Sequence, residues 1–435
     1  MFWDMNFWIS IFIFFCTFWF LLSEVVHRAL VALIWAIFMV LIWKYLWFYN
    51  YAQVLDSIDF NTILLLFWMM VIVAEIEKTW FFQFAAIKVA QKTQWNLWYL
   101  VIALSWLASW LSMILDNVTT IILIVPVILV ITRLLKINPI PLLLSLAILS
   151  NISGVATLVW DPPNIIIGSA AGFSFNNFLQ FSLPVVFVSW ILALGYIRFM
   201  YRKHWNHPQK WLRALMKMDA HKCLQSKIIL RKSLIVLAWV VIGFFFHGLM
   251  DLPPSIIALI GAAVLLTWVS PHKDPKSIFK KVELSVLVFF LALFVLVWGL
   301  ESAWVLTWIW EYMIAFADQN LLLTALFILW LSALLSALLD NIPMTVAMIP
   351  ILSYLQLQTW SWVDLLWWAL VFGVWFGWNA SPIWTTTWVI VMAKSESNKT
   401  PISTKDWLLI GLPSTLISLL VASWALIVFS YFSIV

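Results

Sequence analysis

The 435-residue sequence contains few charged residues, few glycines and few cysteines. Asp, Glu, Lys and Arg make up 10% of the chain and 65% of it is hydrophobic, whereas a soluble globular protein is roughly 25% charged. These proportions exclude a soluble enzyme, a disordered chain and a nucleic-acid-binding protein, in spite of the net charge of +5. The two cysteines, Cys16 and Cys223, provide neither a disulfide framework nor a zinc pattern. The composition predicts a polytopic membrane protein.

Long apolar runs recur along the chain. A bilayer core of about 30 Å needs about 20 residues of helix, and runs of that length indicate helices rather than strands. Two further regions, 97–172 and 321–393, are apolar but interrupted by polar residues and proline. We expect an all-α fold of about ten net spans, with a re-entrant hairpin and a broken helix in each interrupted region. The uninterrupted runs lie near 3–22, 28–48, 60–76, 178–200, 231–249, 254–270, 283–300 and 407–433.

The basic residues fall on one side of this topology. If each half makes five net crossings, 23 of the 24 Lys and Arg residues lie on one side, and Lys44 is the exception. The positive-inside rule places that side in the cytoplasm. We therefore expect a multi-pass protein of the plasma membrane with cytoplasmic basic loops and both termini outside.

The chain matches itself at an offset of 224 residues. Residues 106–117 and 330–341 share seven identities in twelve positions, including Leu-Asp-Asn at the end of both segments. We expect a first repeat over residues 1–200, a basic cytoplasmic linker over 201–230 and a second repeat over 231–435. Because each repeat has an odd number of crossings, the two insert with opposite orientation. Inverted repeats with broken helices are typical of secondary transporters, whose site lies near the midplane.

Four polar interruptions break the apolar regions, and the last two mirror the first two. A helix does not pass through Pro162-Pro163 without breaking, and broken backbone at membrane depth survives only where it lines a cavity or is buried in protein. Carboxylate, amide and hydroxyl oxygens are suitable ligands for small hard cations. A plainer interpretation is that Asn and Thr cap half-helices while each Asp lies at a surface turn. The residues expected to bind the ion are Asp116, Asn117, Thr119, Thr120, Thr157, Asp161, Asn164, Asp340, Asn341, Asn379 and Thr385.

Three motifs carry a resemblance to a known group of transporters. They are Leu115-Asp116-Asn117-Val118-Thr119-Thr120 with Pro126, the run from Ala156 through Asp161-Pro162-Pro163-Asn164 to Gly172, and Asp340-Asn341-Ile342-Pro343 with Pro350. Together they resemble the ion transporter superfamily, in the branch of ArsB-type arsenite pumps, NhaD-type sodium/proton antiporters and the melanosomal P protein, within the citrate-transporter-like group. The resemblance implies a homodimer and elevator-like motion. No cofactor and no resident metal are expected, only a transported ion bound at the residues above.

Tryptophan stands where this family has glycine. The chain has 33 Trp and 11 Gly, although membrane helices use glycine freely. The family's Gly-Asp-Pro-Pro-Asn motif begins with Trp160 here, its Gly-Gly-Asn motif contains Trp378, and the glycine that follows is Trp384. We hypothesise that UGA codons read as glycine in the cell have been translated as tryptophan. Trp98 and Trp367 fit the family as tryptophan and should be encoded by UGG.

The acidic residues favour one transport function over the others. Asp116, Asp161 and Asp340 are expected to converge, and their charge should repel a citrate-like anion. Because burial raises the pKa of a carboxyl group, these groups could exchange a proton for a cation. Sodium/proton antiport is therefore the leading prediction, with efflux of arsenite or a small anion as the alternative and carboxylate symport as a further one. The motifs of an intramembrane aspartyl protease are absent, so the protein is not expected to be an enzyme.

Overall fold

The computed structural model describes most of the chain, and every regular element among its described residues is helical. Within the described residues, seven helices are long and apolar enough to cross a membrane, and shorter apolar helices accompany them. The described residues are 5–23, 26–45, 51–93, 97–115, 117–158, 161–202, 224, 226–250, 252–269, 271, 274, 276–305, 320–338, 341–358, 364–381 and 385–432.

The helices follow the hydrophobic pattern of the sequence. Each uninterrupted apolar run forms a helix, and each interrupted region forms four shorter ones, which confirms the predicted all-α fold. The helices are α1 Met5–Ser23, α2 Arg28–Tyr45, α3 Tyr51–Asp56, α4 Phe60–Glu77, α5 Phe81–Lys92, α6 Leu97–Ser112, α7 Asn117–Leu135, α8 Ile140–Gly154, α9 Pro162–Ala171, α10 Phe175–Met200, α11 Lys227–Met250, α12 Pro254–Val269, α13 Lys276–Phe279, α14 Leu284–Ser302, α15 Leu321–Leu338, α16 Asn341–Gln358, α17 Asp364–Trp378, α18 Thr386–Ser397 and α19 Thr404–Phe432.

The two halves repeat the same helix order in register. Helices α4, α6, α7, α8 and α9 begin at residues 60, 97, 117, 140 and 162. Helices α14, α15, α16, α17 and α18 begin at 284, 321, 341, 364 and 386, which is 224 residues later in every case. The internal match in the sequence therefore corresponds to a structural repeat, in which α6–α7 is the hairpin and α8–α9 the broken helix of the first half.

Small residues allow the helices of the interrupted regions to pack closely. A Cβ atom on Gly373 would lie 2.5 Å from the carbonyl oxygen of Leu329, and one on Gly377 would lie 2.2 Å from that of Ala333. These two glycines, four residues apart on α17, bring its backbone against that of α15, as small residues at this spacing do in membrane helices. On the other side of the fold, α2 packs along α14, and α4 along α12.

The hairpin of each repeat packs on the broken helix of the other. Helix α7 of the first repeat lies against α18 of the second, and α16 of the second lies against α9 of the first. This reciprocal packing brings the N-termini of α7, α9 and α16 to one place in the interior. The residues that begin these helices are the polar interruptions of the sequence.

Candidate functional site

A cavity of about 590 Å³ lies where the interruptions meet. Its polar lining includes side chains at the starts of three helices: Asn117 and Thr119 on α7, Asp161 before α9, and Asn341 on α16. Asn117, Asp161 and Asn341 are almost fully buried, so their polar atoms face the cavity rather than bulk solvent. Four residues predicted from the sequence to bind the ion thus surround a single space.

The proline pair sets the position of Asp161. Pro162 and Pro163 occupy the first turn of α9, where the lack of a backbone N–H costs nothing. Asp161 precedes them with an extended backbone (φ −125°, ψ 130°). Its carboxylate does not cap the helix that it precedes, and it lies in the cavity wall instead.

Gly154 lets the carboxylate and an amide approach the same point. A Cβ atom on this residue would lie 2.7 Å from Oδ2 of Asp161 and 2.9 Å from Nδ2 of Asn117. Real Cβ atoms do not come that close to neighbouring atoms, so any larger residue would displace both groups. The last residue of α8 therefore shapes the polar wall of the cavity without contributing a polar side chain.

Polar groups behind the cavity lining hold Asn117 in place by hydrogen bonds. The Ser112 hydroxyl donates a hydrogen bond to Oδ1 of Asn117 and contacts the Ser150 carbonyl oxygen (3.0 Å). Among the described residues, Nδ2 of Asn117 and the hydroxyl of Thr120 have no hydrogen-bond partner, although both residues are buried. Buried polar groups are normally satisfied, so an exception calls for an explanation such as a bound water or ion.

Thr157 and Asn164 stabilise the break between α8 and α9 and do not line the cavity. The amide nitrogen of Asn164 donates to the carbonyl oxygens of Gly154 (3.0 Å) and Thr157 (2.8 Å). The Thr157 hydroxyl donates to the carbonyl of Met113 (2.9 Å) in the hairpin turn. These bonds satisfy carbonyls that the interrupted helix leaves without a partner.

Asn379 and Thr385 play the corresponding part in the second repeat. The Thr385 hydroxyl contacts the carbonyl oxygens of Trp378 (2.6 Å) and Ser381 (2.7 Å) within the break. Asn379 joins the repeats, because Nδ2 of Asn151 on α8 donates to its Oδ1 (2.8 Å). The same amide of Asn151 donates to the hydroxyl of Thr387 (3.0 Å). All of these side chains are buried, so the two broken helices are fixed to each other by a polar bridge.

Part of the cavity wall is apolar, and its partly exposed edge, which we call the mouth, is charged. Met69, Met70 and Phe289 of α4 and α14 face the cavity. At the mouth, Nζ of Lys281 lies 3.2 Å from Oε2 of Glu77. The charged and titratable residues around this opening are His27, Glu77, Lys281 and Glu283.

The residues predicted from the sequence and the residues that form the site overlap only in part. Asp116 and Asp340 fall outside the described residues, directly before Asn117 and Asn341. Gly154 and Asn151 were not identified from the sequence, since an ordinary glycine and a buried Asn within a helix carry no specific signal. The same is true of His27, Lys281 and Glu283 at the mouth. The ion-binding role of the predicted residues stays a prediction.

The arrangement is suited to binding a small polar solute away from water. Carboxylate, amide and hydroxyl groups are presented by helix ends rather than by long flexible side chains, so the geometry is rigid. Asn117, Thr119, Asp161 and Asn341 belong to the interrupted regions, whereas Met69, Met70 and Phe289 belong to α4 and α14. Broken helices that meet at a buried polar cavity are the usual binding site of a secondary transporter.

Comparison with known proteins also identifies a membrane transporter. The model of the citrate transporter family CitMHS matches residues 18–373. A 46 kDa membrane protein of Mycobacterium leprae is 34% identical over 313 residues, which cover 72% of each chain. An uncharacterised transporter of Mycobacterium tuberculosis is 33% identical over 314 residues, covering 72% of this chain and 73% of its own.

Two further similarities extend over most of the chain. The human P protein is 28% identical over 457 residues, which cover 87% of this chain and 54% of that protein. The crystal structure of the YdaH transporter of Alcanivorax borkumensis shares the fold, with a TM-score of 0.62 and 15% identity over 90% of this chain and 89% of its own. These findings confirm the resemblance drawn from the motifs. The chain belongs to the citrate transporter family and is a membrane transporter.

Proposed function

We propose that this transporter exchanges sodium ions for protons. The observation that carries the proposal is the charge of the cavity: its described lining holds three carboxylates, of Glu77, Asp161 and Glu283, and one lysine. That lysine, Lys281, is already paired with Glu77. Because the described lining has excess negative charge, a cation gains more there than a multiply charged anion.

The helix N-termini at the cavity do not reverse this preference. Each N-terminus carries roughly half a positive elementary charge, and three of them point inward. Each also begins directly after an aspartate, since Asp116, Asp161 and Asp340 precede α7, α9 and α16. At α9, the carboxylate of Asp161 places a full negative charge in the cavity wall, which outweighs the half positive charge of that N-terminus and favours cations.

Exchange follows from competition for the same oxygens. When Asp161 is ionised, its carboxylate provides the negative ligand for Na⁺, and the oxygens of Asn117, Thr119 and Asn341 provide neutral hard ligands. When the carboxylate is protonated, it loses that charge and the cation is released. Binding of the two ions is therefore mutually exclusive, which is the requirement for antiport.

The test is sodium-driven proton movement in proteoliposomes with a trapped pH-sensitive dye. Asp161→Asn keeps a good helix N-cap residue but removes the titratable charge, and we expect it to abolish the sodium-dependent signal. Asp56→Asn, a matched change at an exposed residue at the end of α3, should transport like the parent. Equal sodium-dependent proton flux in all three proteins would refute the proposal.

A second candidate is transport of arsenite or another small anion species. The helix N-termini favour a small anion, because they bind anions. Arsenite is largely uncharged at neutral pH, so the carboxylates do not exclude it. Carboxylate symport is the further alternative, in line with the family's description. Uptake of arsenite or citrate by the same vesicles, without sodium-dependent proton movement, would favour these alternatives.

We also propose that the mouth of the cavity faces the cytoplasm in a plasma-membrane protein with external termini. The support is that Glu77 and Lys281 lie at helix ends that adjoin the basic segments, such as Lys276–Lys281, which the positive-inside rule assigns to the cytoplasm. A single cysteine at position 281 should react with a membrane-impermeant thiol reagent in inside-out vesicles only. Reaction in intact cells would place the mouth outside.

A further inference from the structure

A left-handed tryptophan follows a membrane helix in each repeat. The backbone of Trp80 has φ 59° and ψ 26°, and that of Trp304 has φ 60°. Trp80 follows α4 and Trp304 follows α14, at the offset that relates the repeats. The N–H of each donates to a carbonyl in the last turn, that of Glu77 (3.1 Å) and that of Glu301 (3.0 Å). Both repeats therefore end the same helix with the same unusual conformation.

Glycine is the residue that this position favours. A Cβ atom in the left-handed region crowds a neighbouring carbonyl, and helices commonly end with a glycine in that conformation. For a bulky residue it is an outlier. In the part of the chain that the structure describes, the other non-glycine residues with positive φ are Lys136 and Lys399, whose side chains are unbranched.

An interfacial role explains the side chains but not the backbone. Tryptophan is enriched at bilayer interfaces, and the side chains of Trp80 and Trp304 are 47% and 68% exposed. An indole can reach the interface from a helical backbone equally well, so this role gives no reason for a positive φ. Because both side chains are so exposed, their contacts with neighbouring residues do not offset the strain of the backbone either.

The cavity contains a third tryptophan at a position suited to glycine. Helix α8 ends at Gly154 and α17 ends at Trp378, 224 residues later. In the first repeat, Asp161 and Asn117 approach Gly154 so closely that no Cβ fits. In the second repeat, Trp378 is buried in the cavity wall beside Asn341, the mirror of Asn117. Its indole occupies space that the first repeat leaves to the site.

We infer that residues 80, 304 and 378 are glycine in the working transporter, because each is encoded by UGA and the cell reads UGA as glycine. Glycine at 80 and 304 removes the strain at two symmetric helix ends. Glycine at 378 enlarges the cavity beside Asn341 and makes the two repeats alike at the site. For Trp160 and Trp384, which lie outside the described residues, the assignment to glycine rests on the sequence motifs alone.

The genomic codons and the mass of the natural protein test this inference without any transport assay, so its outcome is separate from that of sodium/proton exchange. We expect UGA at 80, 304 and 378, and peptides of the protein isolated from its own organism that carry glycine there. Trp98 and Trp367 should be UGG codons and tryptophan in the peptides. UGG at 80, 304 and 378, or tryptophan in those peptides, would overturn the inference.

Stability gives a second, independent readout. A synthetic gene expressed in a host with the standard code yields the all-tryptophan chain, in which Trp80→Gly with Trp304→Gly should raise the melting temperature in detergent. Trp98→Gly is the matched control: Trp98 lies in α6, buried, with the Arg198 guanidinium 5.2 Å from its ring centroid, so its replacement should lower the melting temperature. A lowered melting temperature for the double variant would contradict the assignment at 80 and 304.

Discussion

Lys281 and Glu77 form an ion pair across the mouth of the cavity, with 3.2 Å between Nζ and Oε2. Glu77 ends α4 and Lys281 lies just before α14, so the pair joins the corresponding helices of the two repeats. Both side chains are more than one third exposed, and an exposed pair contributes about 0–1 kcal/mol to folding. We therefore expect the pair to influence access to the cavity rather than stability.

We expect Lys281→Gln to open the mouth without destabilising the fold. In a chain with Cys16 and Cys223 replaced by serine, a cysteine introduced at Thr119 should react faster with a charged thiol reagent when Lys281 is glutamine. The melting temperature should hardly change, since the loss is below about 1 kcal/mol. Lys280→Gln, the neighbouring lysine, is the control, and equal labelling rates in both variants would show that the pair does not restrict access.

Gly154→Ala should disrupt the site directly. The added methyl would meet Oδ2 of Asp161 and Nδ2 of Asn117 at 2.7 and 2.9 Å, and overpacking of this kind costs about 1–3 kcal/mol. We expect both transport and the free energy of unfolding to fall. Gly195→Ala in α10 is the matched control, because nothing lies within 4 Å of its added methyl; it should be neutral or stabilising by about 0.5–1 kcal/mol. Equal behaviour of the two variants would argue against the geometry at Gly154.

Asn151→Ala should weaken the connection between the repeats. The amide of Asn151 is hydrogen-bonded to Asn379 and Thr387, and removal of one partner leaves buried polar groups unsatisfied at a cost of about 1–3 kcal/mol. Ser145→Ala on the same helix should cost less, because among the described residues the Ser145 hydroxyl bonds to the Pro141 carbonyl of its own helix and not to the other repeat. Denaturant titration in micelles measures both. If the double variant Asn151→Ala with Thr387→Val loses the sum of the free energies of unfolding that the two single variants lose, the two residues do not act as a pair.

The sequence was sufficient to predict the helices and the repeat, because both depend on local pattern. The run Asp161-Pro162-Pro163 required a helix break, and the offset between Asn117 and Asn341 recurs in the helix starts. The sequence did not predict which helices of the two repeats pack against each other. Neither the bridge from Asn151 to Asn379 nor the role of Gly154 has a local signal, since each depends on which helices of the distant halves come into contact.

The reciprocal packing of α7 on α18 and of α9 on α16 has a consequence for biogenesis. When the ribosome has delivered only the first repeat to the membrane, Asn117 and Asp161 have no facing helices, and their helices end in lipid or in the insertion machinery. Both halves must be synthesised before either gains its proper surroundings. Quality control that recognises exposed polar groups within the bilayer should therefore degrade a truncated chain quickly, and two halves made as separate polypeptides should survive only when they are produced together.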